Sequence, residues 1–191
     1  MRKLLMAAAA IMLLTTLAVS TTSCTKEKDT MEVVINLDSI VIKPYLNFGA
    51  QLADVEKYMA ENYADYSDEN PGSLEYVEVD GGGLWSKCYK TEKRWIWFLF
   101  VDAEGKDLTL VEYDFYFPIQ YEAVMAELER NGFTNKGEIE FENDNSDLSY
   151  LFLSSDESIE AIPYYWEKDG GIWAISFQPT NDYDLQHLVN Q

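Results

Sequence analysis

Leu108-Thr109-Leu110-Val111-Glu112-Tyr113-Asp114-Phe115-Tyr116-Phe117 alternates clearly enough to be read face by face. Successive side chains of a strand point to opposite sides, so Val111, Tyr113, Phe115 and Phe117 share one face while Glu112, Asp114 and Tyr116 share the other. The first set is expected beneath a covering helix and the second facing out. Upstream, Trp95-Ile96-Trp97-Phe98-Leu99-Phe100 is apolar at every position, so whichever of its faces avoids the helix needs another cover or a partner. Asp102-Ala103-Glu104-Gly105-Lys106 connects the two runs at hairpin length. Asp80-Gly81-Gly82-Gly83 and Thr91-Glu92-Lys93 are similar turns, and together they predict an antiparallel meander of strands at 74–79, 84–90, 94–101 and 108–117.

Helical periodicity lies on either side of this meander. Leu52, Val55, Met59 and Tyr63 recur at three and four residues within 51–63, with Asp54 placed favourably in the first turn. After Pro118, Tyr121, Val124, Met125 and Leu128 mark a second helix that Gly132 can end. Strand-like runs follow at 136–141, 148–154, 159–166 and 171–178. Helix plus four strands thus occurs twice, and Trp97-Phe98-Leu99-Phe100 has its counterpart in Tyr150-Leu151-Phe152-Leu153. The expectation is an α+β protein of two tandem α-β-β-β-β units, residues 31–118 and 119–180, with a polar tail at 181–191. Val- and Ile-rich residues 33–42 predict a strand or extended entry segment ending at Pro44.

This order resembles the β-lactamase-inhibitor-protein-like fold, which small outer-membrane lipoproteins of the SmpA/OmlA type share in single copy. Phe48-Gly49-Ala50-Gln51-Leu52-Ala53-Asp54-Val55 is similar to their Gly-x-x-x-x-x-Val helix start. The resemblance spans residues 44–179 and implies a helix packed on one face of each sheet. The inhibitor proteins carry disulfides, and here the chain departs from them.

The N-terminus predicts export. Met1-Arg2-Lys3 is cationic, 4–19 is almost unbroken apolar sequence, and Ser20-Thr21-Thr22-Ser23 follows where a peptidase would cut, so residues 1–23 read as a signal peptide. Cys24 reads as the site of lipid attachment, with 24–30 as a charged tether. The pattern resembles the loose lipobox of Bacteroidetes-type lipoproteins, Thr21 standing where Leu, Val or Ile is usual. Cleavage after Ala18-Val19-Ser20, releasing a soluble periplasmic protein, is the competing reading. The expected address is the cell envelope, lipid-anchored at the outer membrane on its periplasmic face or at the cell surface. Lys26-Glu27-Lys28-Asp29 is loosely similar to a surface-export flag. Once Cys24 is lipidated, Cys88 has no partner for a disulfide.

Losing Arg2 and Lys3 with the signal takes the formal net charge from −20 to −22. A nucleic-acid phosphate backbone needs a basic footprint that this chain lacks, and anionic lipid headgroups are repelled likewise. Cations, basic protein patches or neutral sugars are the partners such a charge favours, although acidity also simply keeps an exported protein soluble.

Few residues carry catalytic chemistry. His187 lies in the polar tail, no Ser occupies a Gly-x-Ser-x-Gly elbow, and Cys88 reads as a small buried hydrophobe. One His and one further Cys do not make a zinc site. Asn143, Asn145 and Asp147 lack the Gly and distal Glu of a calcium loop, and Gly81-Gly82-Gly83 lacks a phosphate cradle's helix. No cofactor or metal is expected, and a hydrolase using paired carboxylates is the least favoured function.

Aromatic residues make up 14% of the chain, and all five tryptophans fall in predicted strands. Trp95 and Trp97, with Trp85, Lys87 and Tyr89 from one flank, Glu112, Asp114 and Tyr116 from the other, and Tyr164 and Trp166 from the second unit, form the candidate binding face. The alternative is that these rings fill a core between the units. The expected function is a non-enzymatic, monomeric binding module, with a protein partner favoured and a glycan second.

Overall fold

The computed structural model describes residues 40–79, 82–139, 146–166 and 171–181. Helix α1, Leu52–Asn62, begins where the Gln51 backbone N–H donates to the Asp54 carboxylate at 3.3 Å, and it buries Val55 and Met59. Helix α2, Tyr121–Arg130, buries Val124, Met125 and Leu128. It ends as expected at Gly132, whose φ of +87° lets the Phe133 N–H turn back to the Leu128 carbonyl at 3.1 Å.

The described residues form nine strands, in chain order β1 Ser67–Asp68, β2 Glu75–Val79, β3 Gly82–Lys90, β4 Arg94–Phe100, β5 Leu108–Phe115, β6 Thr134–Glu138, β7 Ser146–Leu153, β8 Ile159–Trp166 and β9 Ile172–Pro179. They make one sheet in the order β1-β3-β4-β5-β9-β8-β7-β6, with β2 also pairing to β3. All of its pairings are antiparallel. The protein is therefore α+β. The two predicted groups of strands meet where β5 pairs with β9, Tyr113 opposite Ile175 and Asp114 opposite Ala174.

One face of this sheet carries the main core. Ile96 and Phe98 of β4, Val111, Tyr113 and Phe115 of β5, and Ile175 and Phe177 of β9 pack with Val55 and Met59 of α1 and Val124 and Leu128 of α2. The β5 alternation falls as its sequence predicts. Helix α1 is fastened to the β4–β5 hairpin, since the Leu52 N–H donates to the Gly105 carbonyl at 2.8 Å. Gly105 is held at φ +71°, and a Cβ there would lie 2.6 Å from Leu52 Cβ, so no larger residue fits.

Only the end of the entry segment is described. Residues 33–39 lie outside the described residues, and 40–42 join no strand. Side chains anchor the segment instead. The Ile42 N–H donates to buried Glu127 at 2.8 Å, and Arg130 forms an ion pair with that carboxylate. The Lys43 carbonyl accepts hydroxyl groups from Tyr58, Tyr63 and Tyr113, the last two at 3.2 and 3.1 Å. These bonds satisfy backbone groups that no sheet neighbour reaches.

The two-residue β1 lies inside what reads as a polar loop at 65–73. It pairs Ser67 with Lys90 and Asp68 with Tyr89. Lys87, whose side chain is fully buried, draws that loop in: its ammonium lies 2.8 Å from Asp68 and donates to the Asn70 carbonyl at 2.7 Å. Lys87 is buried while Asp68 is partly exposed, so removing the ammonium leaves one part-solvated carboxylate and two carbonyls without their donor. Lys87→Met is expected to lower the unfolding free energy in urea by about 2 kcal/mol. Lys90→Ala, which breaks the half-exposed pair with Glu69, is expected to cost less than about 1 kcal/mol. Equal losses would show that the Lys87 contacts carry no special weight.

Among the described residues no helix is long and apolar enough to cross a membrane. Cys24, His187 and the loop residues 142–145 lie outside the described part.

Candidate functional site

Register places the site. Across the sheet Trp95 is opposite Asp114, Asp114 opposite Ala174 and Ala174 opposite Tyr164. One row over, Cys88 faces Trp97, Trp97 faces Glu112, Glu112 faces Ser176 and Ser176 faces Ile162. Residues directly opposite share a face, so both rows lie on the side turned away from the helices.

On β4 and β5, Trp95, Trp97 and Tyr116 form one cluster of rings. Trp95 lies 5.6 Å from Trp97 at 50° and 4.9 Å from Tyr116 at 45°. The Lys90 ammonium stands 5.2 Å from the Trp95 ring centroid, a cation–π contact. Tyr116 is 39% exposed, while both tryptophans are half-buried.

Trp97 Nε1 donates to the Asp114 carboxylate at 2.9 Å, and the Tyr164 hydroxyl donates to that of Glu112. Glu112 and Asp114, two residues apart on the same face of β5, are close enough for the charge of one to act on the other. Burial pushes the Asp114 carboxyl up to about 8, with the neighbouring Glu112 charge adding to the effect and the Trp97 N–H opposing it. Burial also raises Glu112, against the Tyr164 hydrogen bond. The pair therefore holds a proton that free carboxylates release, and it is not the charged fringe that the sequence suggests.

Three residues predicted for this face lie on the other. Trp85, Lys87 and Tyr89 pair with Phe100, Phe98 and Ile96, all core residues beneath the helices. Tyr89 and Lys87 are buried, and half-buried Trp85 packs against that core and the Tyr76 ring. The residues of β3 that do face the candidate site are Ser86, Cys88 and Lys90, which sequence reasoning did not choose. A lysine at Lys87 biased that strand's assignment outward, because the Asp68 and carbonyl partners that permit its burial come from another segment.

The far part of the face is closed. Ile139, Leu151, Leu153, Ile162, Tyr164 and Ala174 form a second buried cluster, with half-buried Trp166 against it. Tyr164 and Trp166 are 5.4 Å apart. The accessible aromatic surface thus centres on Trp95, Trp97 and Tyr116, and Tyr164 supports it from within.

Cys88 is 2% exposed and its thiol is pushed up to about 12 by burial, with the Glu69 and Asp114 charges contributing. It is expected to resist a disulfide reagent at pH 8 in the folded protein and to react once urea unfolds it. Fast labelling of the native state would contradict that burial. Among the described residues no group of three or more His, Cys, Asp or Glu side chains could hold a metal ion.

No family model, no curated protein and no solved structure matches the chain.

The acid pair makes stability depend on pH. Asp114 keeps its proton in the fold between the ordinary 3.8 and about 8, whereas the unfolded chain has released it. Stability is then fully present below the unfolded value and falls as pH rises through that window, at up to about 1.4 kcal/mol per pH unit. Asp114→Asn removes the titration and is expected to flatten the urea midpoint measured from pH 4 to 8, with its gain over the native chain largest at pH 8. Parallel curves for the two proteins would contradict the assignment.

Proposed function

We propose that the chain is a non-enzymatic, lipid-anchored protein of the cell envelope that binds a protein partner through the aromatic face around Trp95, Trp97 and Tyr116. The observation that carries this reading is the contrast between the two sides of β4 and β5. Ile96, Phe98, Tyr113 and Phe115 are fully packed beneath the helices, yet the opposite side presents three contacting rings with one hydroxyphenyl exposed. Large rings on a rigid backing are the usual anchors of protein interfaces, because they bury much area at little cost in side-chain entropy. Their mutual tilt of 45–50° suits a protruding side chain better than the flat ring of a sugar.

The chain's acid excess favours a basic partner and steers its approach. The anchor at Cys24 and the outer-membrane address rest on the N-terminal sequence. The reading of two tandem inhibitor-like units, monomeric in solution, rests on the recurrence of helix and four strands.

The soluble fragment beginning at Thr25 tests the proposal. Its tryptophan fluorescence is expected to be quenched by acrylamide and, less strongly because of charge repulsion, by iodide, with part of that quenching lost in Trp95→Ala/Trp97→Ala. In a panel of basic proteins and neutral glycans, the unsubstituted fragment should bind a basic protein more weakly as salt increases, and the double variant should lose at least tenfold in affinity. Salt-insensitive binding to glycans alone would favour the glycan reading. No quenching by either agent would place these rings in a closed core and remove the site.

A further inference from the structure

An open surface pocket of about 450 Å³ lies at the β3–β4 turn, away from the aromatic face, lined by Tyr63, Asp65, Tyr66, Thr91, Glu92, Lys93 and Arg94. Its walls carry both signs of charge. Lys87, Lys90, Lys106, Arg130 and Lys136 each form an ion pair with a carboxylate. Among the described residues Lys43, Lys57, Lys93 and Arg94 do not, in a chain where acids outnumber bases 34 to 14, and the last two line this pocket. Asp65 and Glu92 line the same pocket, likewise without an ion pair among the described residues.

Arg94 is also held in place. One of its N–H groups donates to the Val41 carbonyl at 3.3 Å, and its guanidinium stands 5.6 Å from the Phe117 ring centroid. The Tyr66 hydroxyl lies near enough to feel its charge. A guanidinium has five donors in a fixed plane, so these contacts orient the group and leave donors unused. A pre-oriented arginine is suited to a carboxylate, which it can grip with two parallel bonds.

We infer that this pocket binds a small zwitterion of amino-acid size, its carboxylate on Arg94 and Lys93 and its ammonium toward Asp65 and Glu92. The two acids repel a phosphate or other dianion and leave one favourable place for a positive charge. The volume lies in the range of small-molecule sites, and the Tyr63 and Tyr66 rings supply an apolar wall for a side chain.

Titration calorimetry on the full chain in detergent tests this with phenylalanine, 3-phenylpropanoate, 2-phenylethylamine and phenyl phosphate. Phenylalanine is expected to bind, and each of the other three at least tenfold more weakly. Arg94→Gln and Lys93→Gln should each weaken phenylalanine. Lys93 is exposed, so the second variant keeps the test valid if the first unfolds on thermal melting. Glu92→Gln should narrow the gap between phenylalanine and 3-phenylpropanoate. Binding by Trp95→Ala/Trp97→Ala should be unchanged, which separates this site from the aromatic face. Phenyl phosphate or 3-phenylpropanoate binding as tightly as phenylalanine would overturn the zwitterion assignment, and no heat from any of the four at millimolar concentration would overturn the site.

Discussion

The pairing of β5 with β9 joins the last strand of the first group of elements to the last strand of the second, and both faces of the sheet depend on it. On the helix side it places Val111, Tyr113 and Phe115 against Phe177, Ile175 and Trp173, so residues from both halves of the chain fill one hydrophobic cluster. On the other side it places Glu112 and Asp114 against Ser176 and Ala174, two small residues flanked by rings from β4 and β8. A one-residue slip would exchange the two sets and put carboxylates in the core, so the register is strongly determined by burial.

The same constraint explains the electrostatics. With the central strand fixed, Asp114 cannot leave its position between Trp95 and Ala174, and its environment is dry. The strand answers this cost by protonation and by hydrogen bonds from Trp97 and Tyr164, not by a nearby cation. Lys87 shows the opposite solution on the helix side. There a carboxylate and two backbone carbonyls converge on a buried ammonium. Polar groups on β3 and β5 thus satisfy the same requirement by different means, and Lys87 ties a separate segment to the sheet.

The two surfaces proposed for recognition differ in kind. Around Trp95, Trp97 and Tyr116 the rings are large, close and backed by a packed core, which favours extended contact. At the β3–β4 turn the walls are charged and the space is small. The turn lies between Lys90, whose ammonium rests over Trp95, and Arg94, whose guanidinium rests over Phe117. One short connection therefore borders both surfaces, on opposite sides of the sheet.

Much of the architecture was legible from local pattern. Period-two alternation in β5, the run Ile159–Trp166, the three- and four-residue spacing in both helices and Gly132 as a terminator are properties of neighbouring residues, and they appear where the sequence places them. The orientation of β3 was not legible, because Trp85, Lys87 and Tyr89 on one side and Ser86, Cys88 and Lys90 on the other offer no clear apolar face. Nor was β1, whose two residues are held by a lysine about twenty positions away. The acid pair reads as a charged fringe in sequence and becomes protonated only when β4, β8 and β9 surround it. The sequence by itself determined the elements, their antiparallel turns and the inward face of β5, since those follow from side-chain period and turn chemistry. Only the tertiary structure decided which strands adjoin, that the two halves share a core, and which aromatic rings remain accessible, because burial depends on residues distant in the chain.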